Sequence, residues 1–346
     1  MYKSLLIAGE TPSGEEFWSD MNRLRLELDL KPTDSLLLKA IYDNELTLGS
    51  VLDTAEFRAA SEAREQTYYD LSETVTDRGG LFWRHTLYRL YLRYAKDETT
   101  LTVGRQRVAW GQARIWNPTD LFNPISPIQI EGGERLGVDA VNAEYSFGPL
   151  SGINLVFVPG REREERSVGA RLMTNLRGYD LSIMAGEFRE DDVIGFDFAG
   201  SIGDSGFRGE ATLTDPEVGD DFTRLVLSWD YNFENSLYLL FEYLYNDGNL
   251  AEGTPSESTR RFTGEIATRE KNFLATVLGY DLTPLVRLRL NTIYDLDGTS
   301  VFVNPGFTWN LFTDIDWSLG LQLFGGDGGE YGDFSNIFYT SVEWYF

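Results

Sequence analysis

The feature that most constrains this chain is a period of two in its apolar residues, which continues to the last residue. Reading back from the carboxy terminus, every second position carries Phe346, Trp344, Val342, Thr340 and Phe338. Successive side chains of a β-strand point to opposite faces, so this pattern predicts a strand with one apolar face. A terminal aromatic residue is favoured where a strand meets the boundary between membrane and water. The edge strand of a soluble β-sandwich would show the same pattern.

The same alternation recurs along the whole chain. It is clearest at 23–30, where four leucines occupy the even positions and Arg23, Arg25, Glu27 and Asp29 occupy the odd ones. A helix would distribute these leucines around its surface, so the spacing predicts a strand. Comparable runs lie at 3–8, 36–45, 88–94, 141–147, 153–157, 168–176, 181–185, 225–233, 237–245, 274–282, 286–294, 301–311 and 315–323, with 194–198 and 207–213 as a shorter pair.

The connections between these runs indicate how the strands are arranged. Short and long connections alternate along most of the chain, and aromatic residues flank the apolar rows, as in barrels with tight turns at one end and loops at the other. We predict an all-β fold, a closed antiparallel transmembrane up-and-down β-barrel that forms a single domain over 1–346, with short periplasmic turns and longer extracellular loops. The count is about 18 strands, or about 16 if two weak segments are loops. The alternative is a large soluble all-β protein.

Composition excludes several other classes. The chain has 346 residues, a net charge of −25 and no cysteine. No apolar run approaches the roughly 18 residues that a membrane-spanning helix needs, which excludes a helical membrane protein. The absence of cysteine excludes disulfides, thiolate metal sites and covalent haem attachment. The acidic balance argues against nucleic acid as a partner. The first residues lack the pattern of a secretory signal, so we expect an exported protein of this sequence to be a mature or truncated form.

The face opposite the apolar rows is rich in charge, and in a barrel this wide it lines water. Opposed rows of arginines and carboxylates would produce a transverse electric field that orients and filters polar solutes. Neighbouring strands also pair opposite charges simply to neutralise one another, and both interpretations can hold at once. The predicted pore-lining residues are Arg23, Arg25, Glu27, Asp29, Lys39, Asp43, Arg89, Arg93, Arg105, Arg107, Arg171, Arg224, Glu242, Arg287 and Arg289.

The most distinctive stretch is 103–124, which reads VGRQRVAWGQARIWNPTDLFNP. It begins as a strand, breaks at a Trp-Gly pair and continues through two Asn-Pro pairs, which fix extended turns because proline restricts the residue before it. The alternation places Arg105 and Arg107 on the apolar face, and a bulge at Gly104 would turn both into the lumen.

The segment that follows is rich in Trp, Ile and Pro, a composition that should not extend freely into water. We therefore predict that 111–135 folds into the barrel and narrows it. The residues expected to form this constriction are Arg114, Trp116, Asn117, Asp120 and Asn123.

This stretch also resembles a motif in bacterial outer-membrane porins related to alginate-export barrels, and in the barrel component of porin–cytochrome electron conduits. The resemblance is carried by Gly104-Arg105-Gln106, Trp110-Gly111, Asn117-Pro118 and Asn123-Pro124, with weaker similarity at 53–57 and 83–85. The carboxy-terminal strand resembles the assembly signal of outer-membrane barrels. The resemblance implies a porin-like barrel in the bacterial outer membrane, surrounded by lipid and lipopolysaccharide. The acidic residues of the polar face argue against alginate as the solute.

Three functions follow from these expectations. The favoured one is a channel for passive diffusion of small hydrophilic solutes or ions. The alternatives are a barrel that encloses a partner such as a multihaem cytochrome, and an outer-membrane hydrolase. The only histidine, His85, is expected on the polar face of a strand without a fixed partner, so we predict no catalytic residue and no enzyme activity. The carboxylates are too numerous to indicate a glycosidase.

We also predict no metal and no cofactor, because one histidine and no cysteine make a resident redox metal improbable. Two acidic turns, 295–298 and 327–330, contain residue types that bind Ca²⁺, although solvated turns are the favoured interpretation. A homo-oligomer stays open, since no part of the sequence indicates a subunit interface.

Overall fold

The computed structural model describes residues 1–11, 14–62, 67–124, 126–131, 137–248, 266 and 268–346. Strands account for most of them, because alternating apolar and polar residues suit a two-faced sheet. The strands are β1 (Tyr2–Glu10), β2 (Glu16–Thr33), β3 (Leu36–Leu48), β4 (Ser72–Arg78), β5 (Leu81–Lys96), β6 (Thr99–Gln106), β7 (Val138–Gly148), β8 (Ser151–Val158), β9 (Ser167–Leu176), β10 (Tyr179–Phe188), β11 (Asp191–Ile202), β12 (Ser205–Asp215), β13 (Phe222–Asn232), β14 (Leu237–Asn246), β15 (Asn272–Thr283), β16 (Val286–Asp295), β17 (Val301–Phe312), β18 (Ile315–Gly325) and β19 (Ile337–Trp344).

The strands close into one antiparallel barrel. The first strand pairs with both the second and the last, with Tyr2 opposite Leu24 on β2 and opposite Trp344 on β19. β3 pairs directly with β5, so β4 lies outside the ring and extends the sheet only along β5. The remaining 18 strands form the closed ring. The predicted fold class is therefore confirmed, and so is the higher of the two strand counts.

The two faces of the wall differ as the alternation predicts. On β2, Leu26 is 52% exposed on the outer face, whereas its neighbour Arg25 is 6% exposed on the inner face. Closing the ring pairs each of its described strands on both sides, so the ring presents no open edge to a hydrocarbon environment, and β4, outside the ring, is the described strand that pairs on one side only.

In the residues that the structure describes, helical structure lies in the connections. The described helices are α1 (Ala55–Glu62) and two 3-10 helices, Ser50–Asp53 and Arg163–Glu165. α1 begins where it does because the Thr54 hydroxyl accepts a hydrogen bond from the Phe57 amide at 3.2 Å, which satisfies a donor of the first turn. Among the described residues, no helix has both the length and the apolar composition needed to cross a membrane.

Two local register features differ from the expectations. The ladders run through Gly104 without a shift, so the predicted bulge at that residue is wrong; Gly104 instead adopts a φ of +120°. The shift occurs at Tyr88 of β5, which the ladder to β3 skips. As a result Tyr88 leaves the apolar face and its ring lies beside two inner-wall guanidinium groups, Arg25 at 4.5 Å and Arg89 at 4.4 Å.

The shift at Tyr88 also changes the face of the sheet on which His85 lies. This residue lies opposite Asn44, which lies opposite Leu24 of the outer face. His85 therefore belongs to the outer face rather than to the polar inner face, and its ring nitrogen contacts the Tyr42 hydroxyl.

Candidate functional site

Between β6 and β7 the chain turns into the barrel and lies along its inner wall. We call residues 107–131 the inserted segment; position 125 within it, and 132–135 of the predicted loop, lie outside the described residues. Its first anchor is Trp110, whose indole N–H donates to Asn154 Oδ1 of β8 at 2.8 Å. A Cβ added to Gly169 of β9 would lie 2.8 Å from this indole ring. Glycine at this position of the wall therefore leaves room for the tryptophan side chain.

A wall carboxylate holds the next part of the segment. Glu210 of β12 is 1% exposed and accepts the backbone N–H groups of Gln112 at 2.5 Å, Ala113 at 2.7 Å and Thr119 at 3.1 Å. The Thr119 hydroxyl donates to the same carboxylate at 2.9 Å. Both oxygens of Glu210 are therefore used by the inserted segment.

A second wall carboxylate binds the three residues between these contacts. Glu242 of β14 is fully buried and accepts the backbone N–H groups of Arg114 at 2.9 Å, Ile115 at 2.9 Å and Trp116 at 2.7 Å. Beyond it the Trp116 ring packs 6.2 Å from the ring of Phe273 on β15. The segment is thus held both by hydrogen bonds and by apolar contact.

The far end of the segment reaches the opposite side of the ring. The Ile128 carbonyl accepts a hydrogen bond from Gln322 of β18 at 2.6 Å. Glu131 forms a two-pronged pair with Arg23 of β2, at 3.0 Å for each oxygen, and lies 3.0 Å from Lys3 of β1. Burial alone would raise the pKa of Glu131, but the charges of Arg23 and Lys3 outweigh it and lower this pKa. The segment therefore crosses from β8 to β1 and β2.

An open space of about 800 Å³ remains between the segment and the other wall. Its lining includes Arg287, Arg289 and Asn291 of β16, and Arg114 of the segment. Arg287 pairs with Asp281 at 2.6 Å. In the described part of the chain, no carboxylate lies within ion-pair distance of Arg114 or Arg289, both of which are exposed.

The predicted pore-lining residues fall into two groups. The buried group comprises Arg23, Arg25, Asp43, Arg89, Arg105, Arg171, Arg224 and Glu242, and the half-buried or exposed group comprises Glu27, Asp29, Lys39, Arg93, Arg107, Arg287 and Arg289. Charge pairing dominates the first group: Arg25 lies 2.6 Å from Asp43, and Arg171 lies 2.9 Å from Asp197. In the second group Lys39 bridges Asp29 at 3.1 Å.

Arg105 and Arg107 end up in different environments. Arg105 is 1% exposed and is enclosed by Asp139 at 3.1 Å and by the Tyr69 carbonyl at 2.5 Å. Arg107 is exposed where the chain leaves β6. The connection that precedes β4 therefore covers Arg105, so this side chain is not in contact with water.

Of the five residues predicted to form the constriction, Arg114 is the exposed one; Trp116, Asp120 and Asn123 are buried and Asn117 is half-buried. Asn123 Oδ1 accepts the Val108 amide at 2.8 Å. With its amide oriented to satisfy both atoms, Asn117 donates to Glu210 at 3.2 Å. The Asn123 contact organises the segment itself, and the Asn117 contact adds to its attachment to the wall.

The alternation of the sequence does not indicate the anchoring role of Glu210 and Glu242. It predicts that Glu242 faces open water and does not mark Glu210 as a site residue. One signal was available in the sequence. The inward positions beside them carry the apolar residues Val226 and Leu244, which indicates that this part of the wall is covered.

The two acidic turns come together, but through hydrogen bonds within the chain. Asp295 is fully buried and accepts the Gly298 amide at 2.8 Å, the Ser300 hydroxyl at 2.9 Å and the Glu330 amide at 3.0 Å. Among the described residues, no group of three or more His, Cys, Asp or Glu side chains is arranged to hold a metal ion.

Comparisons with known proteins show the fold. The chain is similar to Pseudomonas aeruginosa OccK7 (OpdD), with a TM-score of 0.61 and 12% identity over 99% of this chain and 96% of that one. It is similar to Acinetobacter baumannii OccAB3 (TM-score 0.60, 10% identity, 99% and 97%) and to P. aeruginosa OpdK solved with vanillate (0.58, 8%, 99% and 96%). Neither a sequence-family profile nor a curated protein sequence matches. No comparison supports a relation to alginate-export barrels or cytochrome conduits.

Proposed function

We propose that this chain is a porin-like channel of the bacterial outer membrane that lets small hydrophilic solutes diffuse passively. The observation that carries the proposal is the open space of about 800 Å³ between the inserted segment and a wall whose polar lining combines arginine, asparagine and hydroxyl side chains with the carboxylates Asp281, Asp316 and Glu343. The outer surface of the barrel carries exposed leucines and aromatic rings, which suit the hydrocarbon of a membrane and its boundary of lipid and lipopolysaccharide.

We further propose that the channel prefers anions. Arg114 and Arg289 face the open space from opposite sides, and in the described residues neither is neutralised by a carboxylate. Fixed cations in a narrow aqueous passage lower the electrostatic barrier for anions and raise it for cations. The similarity to OpdK, solved with the small carboxylate vanillate, supports this preference.

The two alternative functions have less support. A barrel that encloses a cytochrome needs an empty lumen, because even a 100-residue domain has a radius of gyration of roughly 13 Å. Here the inserted segment crosses the interior from Trp110, which contacts β8, to Glu131, which contacts β2. A hydrolase would need a base beside a nucleophile, whereas His85 contacts Tyr42 on the outer face.

The test is single-channel recording of the purified, heat-modifiable barrel in a planar bilayer. We expect discrete conductance steps, and a reversal potential in a salt gradient that indicates anion preference. A correctly folded barrel that produces no steps would overturn the channel proposal. Steps with cation preference would overturn the anion preference alone.

A further inference from the structure

Glu210 and Glu242 are unusual among the charged side chains of the inner wall. Arg25 and Asp43 neutralise each other, as do Arg171 and Asp197. By contrast, within the described part of the chain no lysine or arginine lies within ion-pair distance of Glu210 or Glu242, although both are at most 1% exposed. A buried carboxylate without a cation is costly unless several hydrogen bonds compensate for its lost hydration.

Here most of the compensation comes from backbone amides, to which the side chains of Thr119 and Asn117 add at Glu210. Glu242 receives three consecutive N–H groups, from residues 114 to 116, and Glu210 receives those of residues 112, 113 and 119. Successive N–H groups that converge on one point form an anion-binding concavity, and bonds to a charged acceptor are about twice as strong as neutral ones. Gly111, with a φ of +95°, permits the tight approach, because a Cβ there would lie 2.7 Å from Glu210 Oε1.

We infer that residues 112–119 contain two backbone anion sites, which the wall carboxylates Glu210 and Glu242 occupy, and that these two glutamates are the positioning residues of the inserted segment. The inference rests on the proposed channel function and deepens it. The Arg114 amide is bound by Glu242, so this glutamate fixes where the Arg114 guanidinium lies in the passage. Removing the Glu242 side chain leaves a vacant site of a size and polarity that suit a small carboxylate such as formate.

The experiment compares Glu242→Ala, Glu210→Ala and Glu242→Gln with wild type and a matched control, Glu144→Gln. Glu144 is an exposed glutamate of β7 that accepts a hydrogen bond from Asn142 and does not contact the segment. Because the chain has no cysteine, Arg114→Cys introduced into each background carries a single nitroxide label. Label mobility in vesicles and open-channel current noise in bilayers are then measured with and without added formate.

We expect Glu242→Ala to raise the ratio of mobile to immobile label by about tenfold or more, because each lost charge-assisted hydrogen bond changes such a ratio by about that factor. Its current noise should rise as well, and formate should reverse both changes. Glu242→Gln should show the same loss without reversal by formate, since its amide fills the space and turns an N–H₂ toward the backbone donors. Glu210→Ala should behave like Glu242→Ala.

The inference is overturned if the glutamate variants match wild type and Glu144→Gln in label mobility, or if formate fails to reverse the change in Glu242→Ala or reverses the change in Glu242→Gln equally well. If Glu242→Ala or Glu210→Ala does not regain heat-modifiability, Glu242→Gln gives the result, because glutamine preserves the side-chain volume of glutamate. Label mobility does not require conduction. A barrel that responds in the label assay but shows no conductance contradicts the channel proposal and leaves this inference standing.

Discussion

The covered and the open parts of the inner wall follow the same alternation but carry different side chains. Where the inserted segment lies on β13 and β14, inward positions include Val226 and Leu244, both fully buried. Where the space beside β16 and β17 is open, inward positions include Arg289, Asn291 and Asn304. A period of two therefore indicates which side chains face inward. Whether an inward side chain is accessible to solvent depends on whether the inserted segment covers it.

The expectation that every strand presents an ionic row to water is therefore wrong for the covered wall. Trp116 packs there with Phe273, Phe302 and Tyr331, all nearly inaccessible to solvent. This part of the interior is a hydrophobic core between the wall and the segment, and each buried aromatic ring contributes on the order of a few kcal/mol to holding the segment.

The largest effect is expected from removing the part of the inserted segment that covers the inner wall. Deleting 115–132 takes away Trp116 and two of the three amides that Glu242 binds, so the covered wall becomes open to water. Single-channel conductance should rise severalfold, because the passage is then bounded by the barrel wall alone. Unchanged conductance in a folded deletion variant would refute the prediction that this segment narrows the barrel.

A smaller effect is expected from weakening the packing of the inserted segment on the wall. Trp116→Ala should cost about 3–5 kcal/mol of the free energy that docks the segment, as for other buried tryptophans. Hydrogen exchange of the amides of residues 112–119, followed by mass spectrometry, should accelerate. Trp18→Ala is the control, since that ring is 49% exposed on the outside of the barrel. Equal acceleration in both variants would show that the covered wall is not a core.

The next prediction concerns the charged side chains that line the open space and their effect on ion selectivity. Arg114→Gln and Arg289→Gln should each lower the anion-to-cation permeability ratio by roughly two- to fivefold, because a unit charge a few ångströms away in water contributes up to about 1 kcal/mol. Arg78→Gln, an exposed arginine of β4 outside the ring, should leave the ratio unchanged. The measurement is the reversal potential across a salt gradient, and no shift in the first two variants would exclude these arginines from the selective part of the passage.

The smallest effect is expected at the far end of the segment. Glu131→Gln removes the pairs with Arg23 and Lys3, which should cost about 1 kcal/mol or less and increase current noise slightly at neutral pH. The pKa of Glu131 is lowered in the folded state, so its contribution is complete above the ordinary value of 4.5 and is lost as pH falls through the lowered value. Wild-type noise should therefore rise toward that of the variant in acid. Glu217→Gln, in an exposed turn, is the control.

Several elements could be predicted because their signal is local. The strands around Leu24–Leu30 follow directly from the alternation, and the first strand and the strand count agree with the structure. The pair predicted to be shorter, 194–198 and 207–213, forms the full-length strands β11 and β12. Gly200 and Gly209 interrupt the apolar rows there, but a glycine still offers its backbone N–H and C=O to the ladder.

The register shift at Tyr88 was not predictable for a different reason. A skipped residue changes the face of every side chain beyond it, but it leaves no mark in a run such as Tyr88, Leu90 and Leu92, whose spacing is unbroken. The outward position of His85 follows from that one residue. The enclosure of Arg105 depends on Tyr69, which lies 36 positions away along the chain.

The sequence by itself determined the class of fold and the direction in which most side chains point, because alternation is a property of each strand alone. It also marked 103–124 as a segment that does not continue the barrel wall. Only the tertiary structure decided which inward carboxylates stand in water and which hold the inserted segment, because the donors to Glu210 and Glu242 are backbone N–H groups up to 128 positions away. Every residue except proline has such a group, so the sequence carries no signal of where these donors will converge.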